Sequence, residues 1–221
     1  MPTALPLKSD LNVISAFSTR HQGNMSLVYG DTKDSLANRN YFLSNLDIGY
    51  RDLVCAKQVH GSCVRYAKEE DRGKGALSYD SSVTDTDALI TDRKNLPLVI
   101  FTADCLSIFL YDPTTSAVGL VHAGWRSTRE NIVTKTVQLM QQQFNSQTSN
   151  LYVGFGPAIR GCCYEVDLLG INKKQLLDLG VRETNIFDSN ICTFCQNEDF
   201  FSYRKEGTAC GRMIAVIMLK D

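Results

Sequence analysis

The chain holds only three histidines, His21, His60 and His122. Two of them, with Cys105, are of the types that bind a transition metal. The stretch Leu96 to Ser127 reads LPLVIFTADCLSIFLYDPTTSAVGLVHAGWRS. Within it, Leu96 to Phe101 and Ser116 to Val121 are short β-branched apolar runs bounded by turn signals, the pattern of buried strands. Asp112-Pro113-Thr114-Thr115 between them reads as a turn. The first run leads into Thr102-Ala103-Asp104-Cys105 and the second into His122. Two neighbouring strands could therefore bring a thiol and an imidazole to one cleft. His60 sits in a polar break, Lys57-Gln58-Val59-His60-Gly61. Two imidazoles and a thiolate with a fourth position open form the ligand pattern of catalytic zinc, whereas closed structural sites use four protein ligands. Spacing alone leaves other readings open. Cys105 can be a small buried hydrophobe beside a core histidine, or a nucleophile with a histidine base. Metal content discriminates the nucleophile, which would not stay bound to zinc.

The surrounding elements must position these groups. Asn12 to Ser18 reads as a first strand leading to Arg20, and Asp34 to Leu46 as a helix with Leu36, Tyr41, Phe42 and Leu46 on one side. Leu53 to Val59 should be a strand delivering His60, with Ser62 to Ala67 its antiparallel continuation. Residues 68–86 are polar and Gly- and Ser-rich, the best candidate for a mobile loop. Asp87 precedes a strand, Ala88 to Thr91, and either lines the cleft or caps a turn. Gly124, Trp125 and Arg126 follow His122, where a strand meets a helix and open α/β sheets place their sites. Thr128 to Phe144 carries an amphipathic stripe at 132, 133, 137, 140 and 144. Leu151 to Phe155 reads as a strand, Asn172 to Leu179 as a helix with Gly180 as its C-cap, and Phe200 to Tyr203 as a strand. Met213 to Leu219 fits helix or strand. No internal repeat or linker divides the chain, so residues 1–221 are read as one domain.

Composition narrows the partners. Hydrophobic residues make up 43% and charged residues 21% of the 221, ordinary values for a globular protein. A net charge of −1 gives no electrostatic case for nucleic acid or a membrane surface. No run approaches the roughly 20 apolar residues of a membrane span, and MPTALPLKSD shows no signal-peptide pattern. Eight cysteines in a chain of this length without an export signal point to reduced thiols in the cytoplasm. Cys162-Cys163 and Cys192-Thr193-Phe194-Cys195 are not expected to form a second zinc site, because an adjacent pair departs from the spaced pairs of structural sites.

QVHG (58–61), TADC (102–105) and HAGWR (122–126) resemble motifs of the YfiH family, also called the laccase-domain or polyphenol-oxidase-like family. FSTR (17–20), DALIT (87–91), GPAI (156–159), CCYEV (162–166), FSYR (201–204) and GR (211–212) extend the likeness over nearly the whole chain, in the family's order. Ser107, Ser127 and Arg160-Gly161 depart from the residues common there, as does the short segment Gly23-Asn24-Met25-Ser26. The resemblance implies an α/β fold, a single layered domain with a mixed β-sheet and flanking helices. It implies zinc held by His60, Cys105 and His122, and phosphorolysis of purine nucleosides with small-molecule partners, a purine nucleoside and phosphate. Adenosine deaminase and methylthioadenosine phosphorylase activities also go with it. On this reading Arg20 and Arg126 bind phosphate. Asp104 or Glu165 moves protons, or Asp104 supports a ligand histidine. Two alternatives come with the same resemblance: an amidase acting on wrongly built UDP-muramyl amino acids in peptidoglycan editing, and a copper-dependent polyphenol oxidase. Three histidines are too few for a multicopper centre, although a single copper would bind such a site more strongly than zinc.

Overall fold

The computed structural model describes residues 7 and 12–221, together with the backbone pairing of Thr3–Ala4. The N-terminal stretch MPTALPLKSD lies largely outside the described residues. Among the described residues eleven strands form two mixed sheets. The first runs in the order β1 (Thr3–Ala4), β2 (Val13–Phe17), β11 (Met213–Leu219), β6 (Leu98–Thr102), β3 (Val54–Cys55). The second runs β10 (Ile186–Asp188), β9 (Tyr152–Phe155), β7 (Leu106–Asp112), β8 (Ala117–Ala123), β5 (Ala88–Thr91), β4 (Val64–Tyr66). Among the described residues the parallel strand pairs are the edge pairs β3–β6, β4–β5 and β9–β10.

Strand alternation explains the layering, because successive side chains leave opposite faces of a sheet. On β11, Met213, Ala215, Ile217 and Leu219 enter the core between the sheets, where they meet Phe109, Tyr111, Val118 and Leu120 of β7 and β8. Ile214, Val216 and Met218 face the other way, onto Phe42 and Leu43 of helix α1 (Thr32–Ser44). On the far side of the second sheet, Ile108, Leu110 and Val121 pack against Val133, Val137 and Met140 of α3 (Ile132–Phe144) and Leu176 of α4 (Leu168–Asp178). The result is helix, sheet, sheet, helix, the expected layered α/β arrangement of mixed sheet and flanking helices, with the sheet divided in two.

Several elements differ from the sequence reading for local reasons. Leu106–Asp112 is a strand of its own, and β6 and β8 do not pair in one sheet but face each other across the core; the chain leaves one sheet after Thr102 and enters the other at Leu106. Val64–Tyr66 does not continue β3 but pairs with β5 across the molecule. The helix expected over 128–144 is broken: α2 (Trp125–Arg129) ends at Glu130, and Asn131 takes a left-handed φ of 58° before α3 begins. Helix α4 begins earlier than expected, capped by Asp167, which accepts from the Gly170 amide at 2.9 Å. The segment at 200–203 is no strand but the entry to α5 (Tyr203–Glu206), whose N-cap is Ser202. Met213–Leu219 is a strand with both faces covered, which erases the alternation that would have identified it. Segment 68–86 is tied down by Cys55 N–H to Lys74 O and Lys57 N–H to Val83 O, both 2.8 Å. Buried Arg39 holds it from below, donating to the carbonyls of Gly75 and Ala76 at 3.1 and 2.8 Å.

Candidate metal centre

The ligand-capable atoms of His60, Cys105 and His122 all lie within 4.8 Å of one another. Each arrives from a different local structure. Cys105 closes the crossover Ala103-Asp104-Cys105 between the two sheets, where Asp104 adopts a left-handed φ of 88°. His122 lies near the end of β8, cross-strand from Ser107. His60 tops a turn with φ 59°. Gln58 anchors that turn to β6: its amide donates to Phe101 O at 2.8 Å and accepts from Phe101 N–H at 2.7 Å, extending the strand pairing by a side chain.

Asp87 joins two of these pieces. Its fully buried carboxylate accepts from the amides of Val59, His60 and Gly61 at 3.1, 3.0 and 2.8 Å. It also meets His122 Nδ1 at 2.8 Å. Nδ1 is thereby committed, leaving Nε2 as the free ring nitrogen. A carboxylate behind the imidazole is the usual support of a metal-bound histidine. Burial opposes ionisation of Asp87, but the His122 ring and the turn amides hold its carboxyl below the ordinary value. Burial likewise opposes a Cys105 thiolate, yet His122 and His60 bring the thiol down to about 6. Burial disfavours a charged His122, while Cys105 and Asp87 push it up to about 9. Each thus favours the charged form of the other, thiolate beside imidazolium. The His60 and His122 rings stand edge-on, centroids 4.8 Å apart. Gly124 supplies the space: a Cβ there would lie 3.2 Å from His60 Cδ2 and 3.3 Å from Cys105 Sγ.

Two cavities meet at this cluster. One of about 410 Å³ is bordered by Tyr29, Tyr79, Phe101 and Tyr203. The other, about 360 Å³, is bordered by Trp125, Arg126, Tyr164 and Arg204. His60, Cys105, Ala103 and Tyr203 border both. Arg126 thus faces a cavity, its guanidinium 5.8 Å from the Trp125 ring. Arg20 borders neither: it ion-pairs with Glu206 and lies 4.4 Å over the Phe201 ring. Asp104 touches no histidine. Its carboxylate accepts from Thr193 Oγ1 at 2.6 Å, Ser202 Oγ at 3.1 Å and the Arg204 amide at 2.7 Å. The support expected of Asp104 comes from Asp87, because the left-handed backbone at 104 takes that residue off the strand geometry. Glu165 is exposed and borders neither cavity, and His21 pairs with Asp199 at 2.9 Å. Sequence reasoning missed Gln58 and Arg204; the only signal for Asp87 was a carboxylate directly before a buried strand.

Among the described residues no helix is long and apolar enough to cross a membrane. Residues 15–168 and 166–220 match the family described as multi-copper polyphenol oxidoreductase laccase. A relative from Geobacillus stearothermophilus named purine nucleoside phosphorylase YlmD is 33% identical over 92% of this chain and 89% of its own. The crystal structure of YlmD from that organism superposes with a TM-score of 0.92 at 32% identity, covering 95% of this chain and 93% of the other. A Bacillus licheniformis hypothetical protein YfiH also gives 0.92, at 29% identity, covering 94% and 93%. A protein named adenosine deaminase, from an unknown prokaryotic organism, is 28% identical over 79% of this chain and 78% of its own. With motifs, two-sheet architecture and chain coverage in agreement, the chain belongs to the laccase-like YfiH family.

Proposed function

We propose that the chain is a zinc-dependent purine nucleoside phosphorylase, turning a purine nucleoside and phosphate into free base and ribose 1-phosphate. The observation that carries this reading is the convergence of His60, Cys105 and His122 where two cavities meet. Relatives named purine nucleoside phosphorylase support it. Two imidazoles and one thiolate suit zinc with a position left open. Bound there, the ion would supply Lewis acidity toward a substrate oxygen or nitrogen.

The chain's own groups do the rest. Asp87 fixes the His122 ring and the turn carrying His60. Tyr29, Phe101 and Tyr203 offer aromatic walls to a purine in the larger cavity. Arg126 and Arg204 border the smaller cavity, where guanidinium groups suit a phosphate dianion. Arg20 is committed to Glu206, so the anion role expected of it passes to Arg204 beside Arg126. Burial and neighbouring Glu165 keep the Tyr164 phenol protonated, a donor on the same wall. Asp104 positions Arg204 through its backbone amide. Eight free thiols suit the reducing cytoplasm.

Two histidines in the cluster cannot furnish a multicopper centre, which needs many. The relative named adenosine deaminase favours deamination as a second activity of the same centre. Metal-analysed protein incubated with inosine, adenosine and methylthioadenosine, with and without phosphate, tests the proposal by chromatography. Free base appearing only with phosphate, and not in Cys105→Ala, supports it. Inosine from adenosine without phosphate adds the deaminase. Zinc-loaded protein that turns over no nucleoside overturns the reading in favour of amide hydrolysis.

A further inference from the structure

A second group of sulfurs lies outside this centre. Cys162 and Cys163 follow β9, and Cys192 and Cys195 follow β10. Those strands are parallel neighbours, so the loops after them leave the same end of the sheet. A bridge between Ala158 and Cys192 joins them, with Thr193 N–H donating to Ala158 O at 3.1 Å. Arg160 braces the pair, donating from Nε to Ile191 O at 3.0 Å and ion-pairing with Asp188 at 2.7 Å. All four sulfurs come within 4.8 Å of one another, with Cys195 Sγ 3.4 Å from Cys163 Sγ and 3.7 Å from Cys162 Sγ. An adjacent pair such as Cys162-Cys163 departs from the spaced pairs of structural sites, yet the fold presents both of its sulfurs to one Cys-x-x-Cys turn.

We infer that Cys162, Cys163, Cys192 and Cys195 bind a second, structural zinc ion. Zinc–sulfur bonds of about 2.3 Å in a tetrahedron place sulfurs roughly 3.8 Å apart, close to the two separations above. A disulfide needs about 2.05 Å, and all four thiols are free. Lys205 Nζ, 5.3 Å over the Phe194 ring, adds a cation beside what would be a dianionic site. Four protein sulfurs leave no open position, so this ion clips loops together and takes no substrate. The clip bears on the first centre through its neighbours. Thr193, inside the Cys192–Cys195 turn, donates to Asp104, and Tyr164, next to Cys163, borders the smaller cavity.

The test is metal content, which does not depend on turnover or on the phosphorylase reading. Untagged chain purified with reductant and without chelator should carry about two zinc equivalents by plasma mass spectrometry. Cys195→Ala should lose one and Cys195→His, which keeps a ligand, should retain it. Cys105→Ala should lose the other. Cobalt loaded into Cys105→Ala should show the intense visible bands of a tetrathiolate site, a readout that survives poor folding of the Cys195 variants. A single equivalent in the parent that vanishes in Cys105→Ala and persists in Cys195→Ala would overturn the inference. So would a Cys163–Cys195 disulfide in the freshly purified, reduced chain.

Discussion

At the scale of single residues, Asp87 and the Cys105–His122 pair set the properties of the centre. Asp87 spends one carboxylate on three turn amides and one imidazole. Asp87→Asn would turn an NH2 group toward donors and remove the charge behind His122. Zinc affinity should fall ~10–100-fold, the usual consequence of losing such a partner. Competition against a chelator of known affinity measures it; unchanged affinity would contradict the assignment. The pair also fixes a pH dependence. Below about 6 both Cys105 and His122 carry protons that a metal must displace, and above about 9 neither does. Between those values Cys105 is already a thiolate and only His122 releases a proton. Affinity should therefore rise with pH, about tenfold per unit across that window and more steeply below it. A second-order slope up to pH 9 would show that the pair does not form in the free protein. The three donors were legible in the sequence through their types and the motifs around them. Asp87 was legible only as an ambiguity, because a buried acceptor of turn amides has no pattern of its own in the chain.

At the scale of elements, the centre stands where regular structure stops: a crossover, a strand end and a turn. Gly124 lets these approach, its absent Cβ leaving the gap between His60 and Cys105. Gly124→Ala should keep the fold, since φ at 124 is an ordinary −77°. The metal should nevertheless bind more weakly, because His60 must give way by a few tenths of an ångström. Chelator competition together with a thermal melt separates the two effects; equal losses in both would refute a local role. Strand and helix positions were largely legible where a stripe repeated, as in α3; in α1 the helix was legible but its face was not, since Tyr41 is exposed and Ser35, Arg39 and Leu43 are buried beside Phe42. Burial on both faces removes the alternation, so β5, β6 and β8 were legible only as apolar runs bounded by turn signals, β7 went unread and β11 fitted helix or strand; one left-handed residue, Asn131, broke the stripe before α3.

At the scale of the whole molecule, two sheets packed face to face share the core that lies beneath the centre. Phe109 is fully buried between them. Phe109→Ala should cost about 3–5 kcal/mol, read as a lowered denaturant midpoint at unchanged slope; a loss under ~1 kcal/mol would deny the inter-sheet core its role. The pairing of sheets was not visible from the chain, since partners such as β4 with β5 and β2 with β11 depend on long-range closure. On the proposed reading, His60, Cys105 and His122 hold a metal that serves attack by phosphate on a purine nucleoside. Phosphorus NMR tests it most directly, following zinc-loaded protein with adenosine and inorganic phosphate. A sugar phosphate signal should grow in step with free adenine and be absent in the folded Cys105→Ala chain. Adenine released with no new phosphate ester, or an ester formed equally well by Cys105→Ala, would contradict it.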